Sequence, residues 1–190
     1  MLGQWLDWSL DGQLPAASQG VFASGTYHLH APGILELIPN QVSSAAHACI
    51  YSAAVHGNET APVELVGEWL SGIEAGSVTL GAPVLVILGN LPALKAQQRF
   101  LTTNLNRLFN RDLDAEGEEP DRARELMTAV DNFYARHSAL PSCTTTCIPP
   151  LGIADTPFRS GTLCRVTHQY STVGLVSRRR HASSIASAPT

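Results

Sequence analysis

ACIYSAAVHGNETAPVELVGEWLSGIEAG, residues 48–76, is the stretch whose reading decides the fold. Residues 48–55 are small, apolar and β-branched, the composition of a buried strand, and that pattern stops at His56-Gly57. A helix is predicted next. Pro62 stands near its start, Leu65, Val66, Trp69 and Leu70 recur at helical spacing, and Gly72 and Gly76 close it.

Outward from this block, GILELIPN (residues 33–40) is an apolar, partly alternating strand candidate. PVLVILGN (residues 83–90) is a continuous apolar run bounded by Gly and Asn, which suits a fully buried parallel strand. Two buried strands joined by a helical crossover predict an α/β domain with a mainly parallel sheet flanked by helices. Ligand sites in such domains gather at the carboxyl ends of the strands. HGNE (residues 56–59) and GNLPALKAQQRF (residues 89–100) both begin at such ends.

Residues 120–138 carry Leu126, Val130 and Phe133 at i, i+4 and i+7, which predicts an amphipathic helix. The acidic DLDAEGEEPD before it, residues 112–121, reads as a solvated loop. Beyond Pro141 the chain is rich in Ser, Thr, Pro and Arg without sustained periodicity. The expected organisation is a folded unit over residues 1–141 and an unstructured tail over 142–190.

The 190 residues are 44% hydrophobic and 15% charged, which places the chain among globular proteins. A formal net charge of -4 with no block of like charge gives no footprint for nucleic acid or an acidic membrane surface. A small anionic substrate stays allowed. No apolar run reaches the roughly 18 to 20 residues that span a bilayer, and the first residues lack a basic segment, so the cytoplasm is the simplest address. Three of the cysteines, Cys143, Cys147 and Cys164, lie after residue 140, and Cys49 stands apart; neither a disulfide framework nor paired zinc-knuckle spacing results.

Two constellations carry chemistry. His56 and Glu59, three apart on a turn entering a helix, are able to converge on one metal ion that keeps an open position for water. The same spacing also arises by chance, with His56 a polar residue at a strand end and Glu59 a carboxylate favoured by the helix dipole. Farther on, Arg99, Asn106 and Arg107 lie within GNLPALKAQQRFLTTNLNRLFNRD, residues 89–112. Guanidinium groups bind carboxylates through paired hydrogen bonds and an Asn amide adds a neutral donor, although single arginines beside apolar residues are more often solvated.

Taken in order, strand-HGNET-helix and then strand-GNLPALKAQQRF with LNRLFNR, the chain from about Gly33 to Leu140 resembles the succinylglutamate desuccinylase and aspartoacylase family. That family shares the zinc carboxypeptidase type of fold, which is expected here to be incomplete at the C-terminus. The resemblance implies that His56 and Glu59 bind Zn2+ and that Arg99, Asn106 and Arg107 face the substrate's carboxylates. It implies hydrolysis of N-succinylglutamate to succinate and glutamate, the last step of arginine catabolism by the succinyltransferase route.

The family pattern also holds a third zinc ligand, the His of an Asp-Leu-His segment soon after the equivalent of HSALP, and a later catalytic Glu. Neither occurs in this sequence, and His137, His168 and His181 lie in other surroundings. No catalytic base is assigned. The codons of residues 143–150, regrouped one base earlier, permit Leu-His-Tyr-Asp-Leu-His-Thr-Ala, and those of residues 151–156 permit Ile-Arg-Asp-Ser-Arg-Tyr. A one-base frameshift near Ser142 is therefore expected, with the lost His straddling Cys147 and Ile148. With two protein ligands the chain is expected to hold zinc weakly and to hydrolyse little. Two other readings stay open: an aspartoacylase-like amidase on another N-acyl amino acid, and an inert fragment that binds small dicarboxylates.

Overall fold

The computed structural model describes residues 2–146. Strands β1 (Gln19–Phe22), β2 (Gly25–Ala31), β3 (Ile34–Pro39), β4 (Ala48–Ala53), β5 (Val84–Leu88) and β6 (Ser142–Thr146) form one sheet in the order β1-β2-β3-β5-β4-β6. Helices α1 (Trp5–Leu10), α2 (Ala61–Glu74), α3 (Leu91–Lys95) and α4 (Glu118–Arg136) surround it.

The α/β class with flanking helices holds, and the sheet is mixed. β1, β2 and β3 form an antiparallel meander, and β3 meets β5 antiparallel. Parallel pairing is confined to β5, β4 and β6. The connections explain the division: tight turns join β1, β2 and β3 and reverse the chain, whereas the 30-residue interval between β4 and β5 contains the crossover helix α2.

β5 is buried along its whole length. Val84, Val86 and Leu88 pack on one face against Val63, Val66, Leu70 and Ile73 of α2. Leu85 and Ile87 pack on the other against Leu126, Val130 and Phe133 of α4. A strand covered on both faces reads as an unbroken apolar run, which is the pattern of residues 84–88.

Three local expectations change. Leu65 is exposed, because the inward stripe of α2 is Val63, Val66, Leu70 and Ile73. Gly72 lies within the helix, and Gly76 ends the segment with a left-handed φ of 73°. The chain also continues past the expected boundary at residue 141 into β6. That segment, Ser-Cys-Thr-Thr-Thr, pairs with the open edge of β4, where backbone pairing does not require apolar alternation. The segment beyond Thr146, where the sequence leads one to expect an alternate frame, lies outside the described residues, and with it Cys147, Ile148, Cys164, His168 and His181. Among the described residues no helix is long and apolar enough to cross a membrane.

Candidate active site

β4 and β5 run in the same direction, so their carboxyl ends share one edge of the sheet. Past β4 the backbone turns sharply at Ala54, whose φ is 54°. Two hydrogen bonds tie that turn to the end of β5: the Gly89 amide donates to the Ala53 carbonyl at 2.9 Å, and the Asn90 amide to the Ala54 carbonyl at 2.7 Å. His56 follows, 2% exposed.

Gly57 is required by close approach. A Cβ there lies 2.0 Å from the carbonyl carbon of Ala93 and 2.3 Å from the Leu94 nitrogen, both backbone atoms of α3. α3 is fixed in turn by Asn90, whose side-chain oxygen accepts from the Ala93 amide at 3.1 Å. Pro92, expected in a loop leaving the strand, sits in the first turn of this short helix.

The two expected metal ligands meet. His56 Nδ1 lies 2.8 Å from Glu59 Oε1. The other ring nitrogen, Nε2, lies 3.2 Å from Asn104 Oδ1. That oxygen also accepts the Asn106 backbone amide at 3.1 Å, so it is the acceptor and Nε2 carries the ring proton. The Nδ1 lone pair then faces a carboxylate oxygen, an opposition of two acceptors that a second ring proton or a cation relieves. Glu59 Oε2 is buried with no hydrogen-bond partner among the described residues. An imidazole nitrogen facing a carboxylate, beside a buried carboxylate oxygen with no partner among the described residues, suits a borderline cation such as zinc. Among the described residues no group of three or more His, Cys, Asp or Glu side chains is placed to hold a metal.

The loop with the expected carboxylate-binding residues touches this centre at two points. The Arg99 carbonyl accepts the Gly57 amide at 3.3 Å, and Asn104 reaches His56. Asn106 is half-buried in a 3-10 turn, Leu105–Arg107, that Leu105 anchors in the core. Arg99 and Arg107 are exposed, and neither guanidinium has an ion-pair partner among the described residues. His137 lies elsewhere, donating toward Glu36 Oε1 at 2.8 Å.

Sequence reading missed two residues here. Asn104 stands in a run of polar residues, and only the fold brings it to His56, 48 positions away. Glu119 was placed in a solvated loop, yet it is 5% exposed in the first turn of α4. Burial alone pushes its carboxyl up. The amides of Thr103 and Leu101, the Asn90 side chain and the Thr102 amide outweigh that and hold it below the usual carboxylate range. The signal available in sequence was an acidic residue at a helix start, which the dipole favours wherever it occurs.

The model of the succinylglutamate desuccinylase/aspartoacylase catalytic domain matches residues 45–147 of the chain, from just before β4 to just after β6. The chain belongs to this family. Its relatives include a succinylglutamate desuccinylase from Burkholderia orbicola (strain MC0-3), 38% identical over 141 residues, covering 71% of this chain and 41% of the relative. One from Serratia proteamaculans (strain 568) is 37% identical over 134 residues, covering 69% and 40%. Among solved structures, a succinylglutamate desuccinylase from Vibrio parahaemolyticus superposes with a TM-score of 0.66 at 31% identity, over 74% of this chain and 49% of that one. Another, from Chromobacterium violaceum, gives 0.65 at 30% identity over 75% and 44%. The chain thus spans about two fifths of the length of the sequence relatives it matches. By their names the family members are hydrolases. The matched interval contains every residue of the candidate centre, from His56 to Glu119.

Proposed function

We propose that this chain supplies the zinc-binding and carboxylate-binding residues of a metal-dependent amidohydrolase that cleaves N-succinylglutamate to succinate and glutamate. In this reading it serves the end of arginine catabolism in the cytoplasm. The observation that carries it is the pairing of His56 Nδ1 and Glu59 Oε1 at 2.8 Å, beside a buried Glu59 Oε2 that has no hydrogen-bond partner among the described residues. The names of the relatives support the choice of substrate.

His56 and Glu59 would hold the ion, and Asn104, by accepting from Nε2, leaves Nδ1 as the ring nitrogen available to it. A bound zinc ion supplies a Lewis acid that acidifies water toward neutral pH and polarises an amide carbonyl. Arg99, Asn106 and Arg107 bind and orient the carboxylates of the dicarboxylic substrate, the two guanidinium groups being free of competing ion pairs among the described residues. No general base is assigned.

The third ligand belongs to the alternate frame. Supporting this, β6 runs parallel to β4 with Ser52 opposite Thr146, and so heads for the sheet edge where His56 lies. The codons that follow, for Cys147 and Ile148, permit His when regrouped by one base. Made as written, the chain holds zinc weakly and turns over little substrate. The guanidinium groups of Arg99 and Arg107, without ion-pair partners among the described residues, also favour a second reading, an inert module that binds small dicarboxylates.

Sequencing the gene across codons 136–152 tests the frame. Zinc content and hydrolysis of N-succinylglutamate test the chain itself: one tightly held zinc with ordinary turnover in the 190-residue protein sinks the weak-binding reading. Succinate binding that ignores zinc supports the inert module. On a frame-restored protein, a preference for N-acetylaspartate over N-succinylglutamate replaces the desuccinylase reading with an aspartoacylase-like one.

A further inference from the structure

Glu119 is a buried carboxylate with no ion-pair partner among the described residues. Its partners are four neutral N–H donors: Oε1 accepts from Asn90 Nδ2 at 3.0 Å and the Leu101 amide at 2.8 Å, and Oε2 accepts from the Thr102 amide at 3.0 Å and the Thr103 amide at 2.5 Å. Burying an ionised group is costly unless its hydrogen bonds are complete, and here they are. Three successive backbone amides aimed at one point need an acceptor-only group with two oxygens. A carboxylate is the side chain that meets this; a glutamine offers one oxygen and turns two N–H donors toward amides that are themselves donors.

The location of these bonds matters more than their number. The residue after Thr103 is Asn104, whose Oδ1 lies 3.2 Å from His56 Nε2. Asn90, the fourth partner, caps α3, and the α3 backbone is the wall against which Gly57 packs. One side chain on α4 thus joins the carboxyl end of β5, the start of α3 and the loop that leads from Arg99 to Arg107. Arg122, one turn farther along α4, reinforces the junction by donating to the carbonyls of Leu88, Gly89 and Pro32.

We propose that Glu119 is a positioning residue, which fixes the loop at residues 101–104 through three consecutive amides and thereby sets Asn104 against His56. The loop anchoring stands on geometry alone. Its consequence for the metal rests on the proposed reading of His56 and Glu59 as a zinc pair.

The experiment compares the full 190-residue chain with Glu119→Gln by NMR-detected hydrogen exchange and by zinc titration against a chromophoric chelator. In the variant the amides of Leu101, Thr102 and Thr103 should exchange on the order of tenfold faster or more, while α2 and β5 keep their protection. Zinc affinity should fall by about tenfold, the scale for groups that orient a metal ligand from outside the coordination shell. Unchanged loop exchange overturns the proposal, as does a rise matched across α2 and β5, because that reports general destabilisation. If the wild-type chain binds no zinc, the zinc reading fails while loop exchange still decides the role of Glu119. Should Glu119→Gln fail to fold, the wild type decides: scalar couplings through the hydrogen bonds should link the 15N nuclei of residues 101–103 to the Glu119 carboxyl carbon, and their absence overturns the proposal.

Discussion

Asn104 Oδ1 lies 3.2 Å from His56 Nε2, while the other nitrogen of the same ring lies 2.8 Å from Glu59. One imidazole thus spans a neutral acceptor and a carboxylate, and the neutral acceptor fixes a proton on Nε2. Replacing Asn104 by Leu removes that acceptor and frees the ring to rotate. Zinc affinity should drop by about tenfold, with a stability loss of about 1 kcal/mol. Asn104→Asp should raise the affinity, because on the proposed zinc reading of His56 and Glu59 a carboxylate at Nε2 makes Nδ1 more basic. Competition titrations of the two variants against wild type check both directions.

Gly57→Ala should be severely destabilising. The added methyl group meets the Ala93 carbonyl oxygen at 2.2 Å and backbone atoms of α3 on either side, none of which swings away as a side chain tip does. A loss of about 3 kcal/mol or more is expected in urea unfolding, at the upper end of overpacking changes. Gly67→Ala is the control: nothing lies within 4 Å of its Cβ, and removing glycine from a helix should add up to about 1 kcal/mol.

Acid should weaken the fold through Glu36. This carboxylate is 1% exposed, and burial alone pushes its pKa up. Hydrogen bonds from His30, Arg136 and His137 outweigh burial and bring it from 4.5 to about 2. Because the folded value lies below the unfolded one, the stabilisation is complete above about pH 4.5 and disappears as the pH falls toward 2. The amount at stake is on the order of 3 kcal/mol. Thermal midpoints measured between pH 6 and 2 should fall in that window, and Glu36→Gln should flatten the profile while lowering the midpoint at pH 6.

Arg122→Lys should not behave as a conservative change. The guanidinium donates through Nε to the Gly89 carbonyl at 2.9 Å and through Nη2 to those of Leu88 at 2.7 Å and Pro32 at 3.0 Å, with Nη1 left for Glu125. An ammonium keeps the charge but cannot reproduce this fork. A loss of about 2 kcal/mol is expected, and most of it should persist in 0.5 M salt because the lost bonds are to uncharged backbone carbonyls. Urea unfolding at two salt concentrations separates this from loss of the Glu125 ion pair.

Much of the fold is legible in the sequence. A strand buried on both faces, such as Val84–Leu88, leaves an unbroken apolar run, and Leu126, Val130 and Phe133 mark the inner stripe of α4 as their spacing indicates. On α2 the same logic misjudged Leu65, because Val63, Val66, Leu70 and Ile73 form an equally good stripe one step around the helix. β1 and β2 were not read at all: QGVF is short, and GTYHLHA carries two histidines among its apolar residues.

The sequence by itself determined the strand-His-helix block at residues 48–76, the apolar faces of α2 and α4 in outline, and the family to which the block belongs. Each of these is written in neighbouring residues, as a period, a run or a motif. Only the tertiary structure decided that Glu119 is buried rather than solvated, that Asn104 orients His56, and that Glu36 is held by His30, Arg136 and His137. The physical reason is that a polar side chain can be buried wherever the fold brings enough donors to it. Those donors come from loops and helices up to about a hundred positions away, where no local pattern records them.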